Sequence, residues 1–262
     1  MRDFAELAGR QGVEAKPSGR PVVCVQGLGF VGLAMALAVA LARDAEGLPV
    51  YDVAGIDLPT PEGQAKAAAI NAGQLPVSSA DASMREALDT CRAVGNLVAA
   101  TDPEAFRLAD VALVDVNLDL RVGETGITVP IPGFVVAVRD LGSRLRPGAL
   151  VVVESTVPPG TCARIVAPEL DRCCEERGLP PGSLLLAHAY ERVMPGKDYL
   201  DSVRNFWRVY AGHTPQAAEA CGAFLSRVVN VRDFPLRRLH STTASETAKV
   251  LENSYRAVNI AF

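Results

Sequence analysis

A short apolar run, Val22-Val23-Cys24-Val25, leads directly into Gly27-Leu28-Gly29-Phe30-Val31-Gly32, and few folds accept that combination. Four consecutive apolar residues fit a parallel strand buried on both faces. The Ala/Leu/Val-rich stretch after the glycines, to about Arg43, reads as a helix. Strand, glycine turn and helix together are the context in which G-x-G-x-x-G acquires meaning as a dinucleotide-binding turn. Gly27 permits the tight turn, Gly29 lets a pyrophosphate approach the backbone, and Gly32 allows close helix–strand packing. The N–H groups at the start of the helix then face the phosphates.

The next strand, Val53-Ala54-Gly55-Ile56, ends at Asp57, whose carboxylate is placed to accept hydrogen bonds from an adenosine ribose. The same charge repels a 2′-phosphate, and Leu58 to Gly63 contains no Arg to compensate, so the expected cofactor is NAD rather than NADP.

Strands and helices alternate through the rest of the chain. Helices are expected over residues 63–72, 83–93, 132–144, 161–177 and 216–228. Strands are expected at 98–101, 111–114, 149–153, 184–187 and 207–210. This alternation predicts an α/β fold with a Rossmann-like, doubly wound, mostly parallel sheet. Residues 1–20 read as a peripheral lead-in and 21–235 as the NAD-binding domain. Residues 236–262 read as the start of a long helix with no stop signal, which points to a part of a longer protein. Within it, Thr243-Ala244-Ser245-Glu246 has capping-box spacing.

Charge and composition narrow the classes of function. A formal charge of -4 leaves no basic footprint for nucleic acid. The longest strongly apolar stretch, Val31 to Ala42, is far shorter than the roughly 20 residues of a membrane helix. The N-terminus lacks the pattern of a signal peptide, so a cytoplasmic location is the default expectation. Six cysteines in no recognisable framework read as reduced and structural, and three scattered histidines give no local metal-ligand pattern.

Three further segments carry chemistry. Glu154-Ser155-Thr156-Val157-Pro158-Pro159-Gly160-Thr161 joins a strand to a helix, and Glu191-Arg192-Val193-Met194-Pro195-Gly196-Lys197 follows another strand. On the terminal helix Lys249, Asn253 and Arg256 stand at i, i+4 and i+7, on one face. Each alone reads as an ordinary cap, surface carboxylate or solvated face.

Together with the glycine turn, and in this order, they resemble the UDP-glucose/GDP-mannose dehydrogenase family. The Glu before Ser-Thr and the E-R-V-x-P-G-K form are most similar to its branch acting on UDP-N-acetylhexosamines. The resemblance implies a nucleotide-sugar 6-dehydrogenase that oxidises a C6 alcohol to a carboxylate in two NAD-dependent steps, through a cysteine thioester. It implies NAD contacts at Phe30, Val31 and Thr156, thioester hydrolysis at Glu191, and substrate contacts at Arg192, Val193 and Arg256. It further implies a catalytic Lys249 assisted by Asn253, a UDP-sugar substrate and a homodimer when intact. On that helix an ammonium can stabilise a developing alkoxide, Asn253 can donate to the same oxygen, and Glu191 can act as a base toward water.

The chain departs from the family at several points. Val116-Asn117-Leu118-Asp119 replaces Val-Pro-Thr-Pro, so Leu118 stands where a Thr contacts the cofactor, with Asn117 or Asp119 as substitutes. Ala189-Tyr190 precedes Glu191 in place of Cys-Pro or Ser-Pro, and the acidic residue usual after Gln74-Leu75-Pro76 is missing from Val77-Ser78-Ser79. The family's G-G-x-C-x-P-K-D nucleophile segment is absent. This chain alone is therefore expected to bind NAD without turning substrate over. Two other readings stay open: a two-electron dehydrogenase of the β-hydroxyacid type, and a non-catalytic NAD-binding module. NADH stoichiometry separates the first, and the reading frame beyond Phe262 the second.

Overall fold

The computed structural model describes residues 3–15, 18–118, 121–123, 126–129, 131–192 and 196–262. It opens with helix α1 (Phe4–Arg10), strand β1 (Val22–Gln26), α2 (Phe30–Ala40), β2 (Asp52–Ile56), α3 (Pro61–Asn71), α4 (Ala82–Val94) and β3 (Leu97–Ala100). A 3-10 turn (Pro103–Leu108), β4 (Val111–Val114), a hairpin of β5 (Arg121–Gly123) and β6 (Gly126–Thr128), α5 (Ile131–Gly142) and β7 (Leu150–Val153) follow. The chain then forms a π turn (Cys162–Val166), α6 (Ala167–Glu176), β8 (Leu185–His188), α7 (Tyr199–Arg204), β9 (Val209–Gly212), α8 (Pro215–Val228), β10 (Arg237–Arg238) and α9 (Thr242–Ala261).

The main sheet runs β10-β9-β8-β7-β4-β1-β2-β3, with β8 and β9 antiparallel and every other pair parallel. Period-two alternation divides its core between two faces. Val23, Val25, Leu113 and Val152 pack with α2 and α8 on one side. Cys24, Ala112, Val114 and Val153 pack with α1, α5 and α6 on the other. Strands covered on both faces are apolar throughout, as expected for the Rossmann-like architecture. Helix α2 is buried continuously from Gly32 to Ala40, because α4 and α7 cover the side that β1 and β2 leave open.

Order and register create the crevice. β1 lies between β2 and β4, so the chain leaves the glycine turn toward one half of the sheet and later returns to the other. Ligands bind at such a switch point, outside the carboxyl ends of the strands. Gln26 is level with Ile56 and with Val114, which brings Gly27, Asp57 and Asp115 into one row just beyond the strand ends. The Gly27 N–H donates to the Ile56 carbonyl at 2.8 Å and the Asp115 N–H to the Gln26 carbonyl at 2.9 Å.

Several expectations need correction. The lead-in is not peripheral: Phe4, Leu7 and Ala8 are buried in the same cluster as Val22 and Cys24. The helix expected over 161–177 is not uniform, because Pro168 has no N–H to continue the ladder and its ring crowds the preceding turn, which widens to a π turn. The strand expected at 207–210 is displaced to Val209–Gly212, leaving Trp207 exposed. Helix α9 starts at Thr242 with Ser241 as its cap, Oγ accepting from the Ala244 N–H at 3.1 Å, so the capping box is not the one the spacing indicated.

Candidate active site

The glycine turn separates two cavities. One, of about 500 Å³, is lined by Gly27, Leu28, Asp57, Lys66, Phe134 and Asp140 among others. The other, of about 690 Å³, is lined by Phe30, Val31, Thr156, Glu191 and Asn253 among others. Gly29, Asp115, Val116 and Asn117 belong to both walls.

Each glycine of the turn has a distinct steric reason. A Cβ on Gly32 would lie 1.8 Å from the Gly27 carbonyl oxygen, so no side chain fits between helix and turn. Gly27 has φ +96, and a Cβ there would lie 2.6 Å from the Asp115 carbonyl oxygen. Gly29 faces open space, the volume a pyrophosphate needs. Gly29 is also the cap residue of α2 and supplies no side-chain bond to the first N–H groups. Those donors, the vacant volume above Gly29 and the cavities on either side fit an extended dinucleotide.

Asp57 is fixed in the smaller cavity. Its Oδ1 accepts from the Leu58 N–H at 2.7 Å and its Oδ2 from the Leu28 N–H at 3.1 Å. Lys66, one helical turn into α3, brings its Nζ to 3.7 Å from Asp57 Oδ2 and 2.7 Å from Glu62 Oε1. A cation beside the Asp57 carboxylate was not evident from the Leu58–Gly63 segment. Its distance along the chain hid it, although Glu62 and Lys66 stand at the i, i+4 spacing that marks a helix pair.

The larger cavity is built against α9, which docks by a ladder of buried polar contacts. His188 Nδ1 lies 2.8 Å from Ser245 Oγ. The Glu246 carboxylate accepts from the Gly160 N–H at 2.5 Å and the Cys162 N–H at 2.7 Å, capping the π turn in place of Thr161. Lys249 Nζ donates to the Glu191 carbonyl at 2.7 Å and to Glu191 Oε1 at 3.3 Å, and stands 5.2 Å from the centre of the Tyr190 ring. Glu252 accepts from Tyr190 and from Arg192. Tyr190, a departure at sequence level, thus supplies a cation–π face for the lysine.

The expected site residues are therefore only partly gathered. Gly29, Phe30, Val31, Thr156, Glu191 and Asn253 line the larger cavity. Lys249 is buried behind Glu191, Arg256 is exposed and reaches Asn253 Oδ1 at 3.1 Å, and Arg192 pairs with Glu252 over the Phe206 ring. The common helical face is thus split by depth, buried at Lys249 and in solvent at Arg256. Leu118 and Asn117 line the larger cavity, whereas Val193 and Asp119 lie outside the described residues.

Sequence reasoning missed a second layer. Arg208, just before β9, is buried against Glu154 and donates to the Ala189 carbonyl at 3.3 Å. Burial pushes the Glu154 carboxyl up to about 7, against the pull of Arg208. His188 is driven down to about 3 by burial and is neutral. All six cysteines are buried and unpaired, and desolvation raises the thiols of Cys24, Cys91 and Cys221 to about 12. None lines either cavity.

Residues 22–228 match the NAD-binding domain of the UDP-glucose/GDP-mannose dehydrogenase family. UDP-N-acetyl-D-mannosamine dehydrogenase of Pyrococcus horikoshii is 30% identical over 91% of this chain and 51% of its own length. The corresponding enzyme of Methanococcus aeolicus is 28% identical over 91% of this chain and 48% of its length. The crystal structure of NDP-N-acetyl-D-galactosaminuronic acid dehydrogenase from Methanosarcina mazei Go1 superposes with a TM-score of 0.79 at 25% identity, covering 96% of this chain and 49% of that one. The chain spans about half the length of the relatives it matches.

Proposed function

The chain belongs to the UDP-glucose/GDP-mannose dehydrogenase family, and from that premise we propose that it is the NAD-binding portion of a nucleotide-sugar 6-dehydrogenase acting on a UDP-N-acetylhexosamine. NAD, when bound, would supply the hydride acceptor for oxidation of the sugar alcohol. The observation that carries the reading is the pair of cavities that share Gly29 in their walls, with Asp57 lining the smaller and Thr156, Glu191 and Asn253 the larger.

The chain's own groups then take defined parts. The first N–H groups of α2 hold the pyrophosphate, and Asp57 holds the adenosine ribose. Phe30, which meets the buried Tyr199 ring edge-on at 5.2 Å between centroids, and Val31 wall the nicotinamide side. The Lys249 ammonium, fixed on Glu191 before substrate arrives, places positive charge where alkoxide develops at C6. Asn253, positioned by Arg256, donates to the same oxygen, and Glu191 serves as the base toward the hydrolytic water. The nucleophilic cysteine and most nucleotide contacts belong to a further segment of the enzyme, and the working enzyme is a cytoplasmic homodimer.

Lys249→Ala in the complete enzyme should lower kcat by about 10²–10³-fold, the effect of deleting one preplaced electrostatic donor, and leave NAD affinity unchanged. Two NADH formed per sugar support the four-electron reaction, and one NADH per sugar would instead place the protein among two-electron dehydrogenases.

A further inference from the structure

Three carboxyl groups and two cations are buried together where β4, β7 and β8 end. Asp115, Glu154 and Glu191 face Arg208 and Lys249. Arg208 is paired with Glu154 and Lys249 with Glu191. Each cation thus has a carboxylate partner, although Arg208 Nε and Glu154 Oε2 meet no hydrogen-bond partner among the described residues, and no ion pair among those residues includes Asp115. Its two carboxyl oxygens are shut off from solvent and meet no hydrogen-bond partner among the described residues. An ionised carboxylate in that state is very costly, whereas the neutral acid is tolerated.

The surroundings agree with the geometry. Burial holds the Asp115 carboxyl well above the usual carboxylate range, and the charges of Glu154 and Glu191 push the same way, opposed by Arg208. From α7, the Tyr199 hydroxyl is itself raised by burial and so stays neutral. Across the smaller cavity, Lys66 is occupied by Asp57 and Glu62, and Asp140 adds a further negative group. The glycine turn contributes no charged side chain.

Asp115 also lies directly beneath that turn. Its carbonyl oxygen is the atom a Cβ on Gly27 would strike, its Cβ would lie 3.3 Å from one on Gly32, and the residue lines both cavities. Phosphates seated at the start of α2 would join Glu154, Glu191 and Arg208 as its ionic neighbours.

We propose that Asp115 is a neutral carboxylic acid forming the floor of the dinucleotide turn, and that loss of its proton to water sets an upper pH limit on NAD binding. The inference rests on the assignment of this crevice to NAD. Once ionised, Asp115 adds a negative charge beneath the pyrophosphate that Arg208, shared with Glu154, and Lys249, shared with Glu191, offset only in part, and the repulsion weakens the complex.

The test is NAD titration of the protein by calorimetry between about pH 6 and about pH 9.5, beside Asp115→Asn, the uncharged isostere. The wild-type Kd should rise about tenfold across that range, and that of D115N by less than about twofold from the wild-type value at the acid end. A flat wild-type profile, parallel profiles for the two proteins, or a tenfold loss in D115N at about pH 6 would each overturn the proposal. Failure of the wild type to bind NAD at about pH 6 would overturn the NAD assignment itself, and the proposal with it. If D115N does not fold, infrared spectra of wild type carrying isotope-labelled aspartate decide the matter. A label-shifted carbonyl stretch of a protonated acid should persist at about pH 8 and fade with NAD affinity, and its absence at that pH would refute the inference.

Discussion

Glu246→Gln should loosen α9 from the sheet far more than its conservative chemistry suggests. The wild-type carboxylate is fully buried and receives two backbone N–H groups, from Gly160 at 2.5 Å and Cys162 at 2.7 Å. Both donors belong to the start of the π turn, where the helix dipole favours an anion and Thr161 provides no cap, its hydroxyl being donated to the Pro158 carbonyl at 2.6 Å. In the glutamine one oxygen still accepts, but the amide nitrogen is itself a donor and faces the other N–H. One charge-assisted bond is lost, at about 1.5–3 kcal/mol, and the helix-terminus attraction adds about 0.3–1 kcal/mol. A total of about 2–4 kcal/mol corresponds to a fall in Tm of roughly 5–15 °C for a domain of this size. Urea denaturation monitored by circular dichroism gives the free energy, and hydrogen exchange of residues 242–252 shows whether α9 is the element released. Glu252→Gln, which weakens a partly exposed pair with Arg192, is the control and should cost no more than about 1 kcal/mol. A loss in Glu246→Gln no larger than in this control, or unchanged exchange in α9, would show that Glu246 does not hold the helix.

Two glycine substitutions separate folding from cofactor binding. Gly32→Ala forces a methyl into the Gly27 carbonyl and should destabilise the protein by roughly 1–3 kcal/mol or more, read as a fall in Tm, together with loss of NAD binding. Gly29→Ala meets no protein atom, so Tm should stay within about 2 °C of wild type while NAD affinity falls at least about tenfold; equal effects at both positions would contradict the packing argument. His188 yields a pH prediction. Its pKa is depressed in the fold to about 3 from an ordinary 6.5, so its contribution is fully present above that ordinary value. As pH falls from about 6.5 toward about 3, the unfolded chain takes up a proton that the folded one does not, and stability declines by up to about 1.4 kcal/mol per pH unit. His188→Gln should remove that one-proton slope in urea denaturation series, and an unchanged slope would count against it.

Much of the fold and part of the site are legible in the amino-acid sequence. The glycine turn, the βα alternation and Asp57 at the end of β2 depend on local backbone conformation and on period-two or helical burial, and both leave marks in adjacent residues. The π turn is legible too, since Pro168 is its cause, yet a uniform periodicity obscures it. Lys249 and Glu191 are identifiable only as members of motifs, without the 2.7 Å bond between the ammonium and the backbone that joins them.

What the chain's own order of residues settled, then, was where a dinucleotide could lie and which backbone positions had to be glycine. The tertiary structure decided which charges meet. Asp115, Glu154 and Glu191 lie at the ends of three different strands, and Arg208 and Lys249 approach from elements far along the chain. Nothing in the immediate neighbours of Asp115 and Arg208 distinguishes them from surface groups. Parallel strands bring those ends together, the flanking helices exclude water, and in that low-dielectric space two carboxyl groups have a cation partner while Asp115 has none among the described residues.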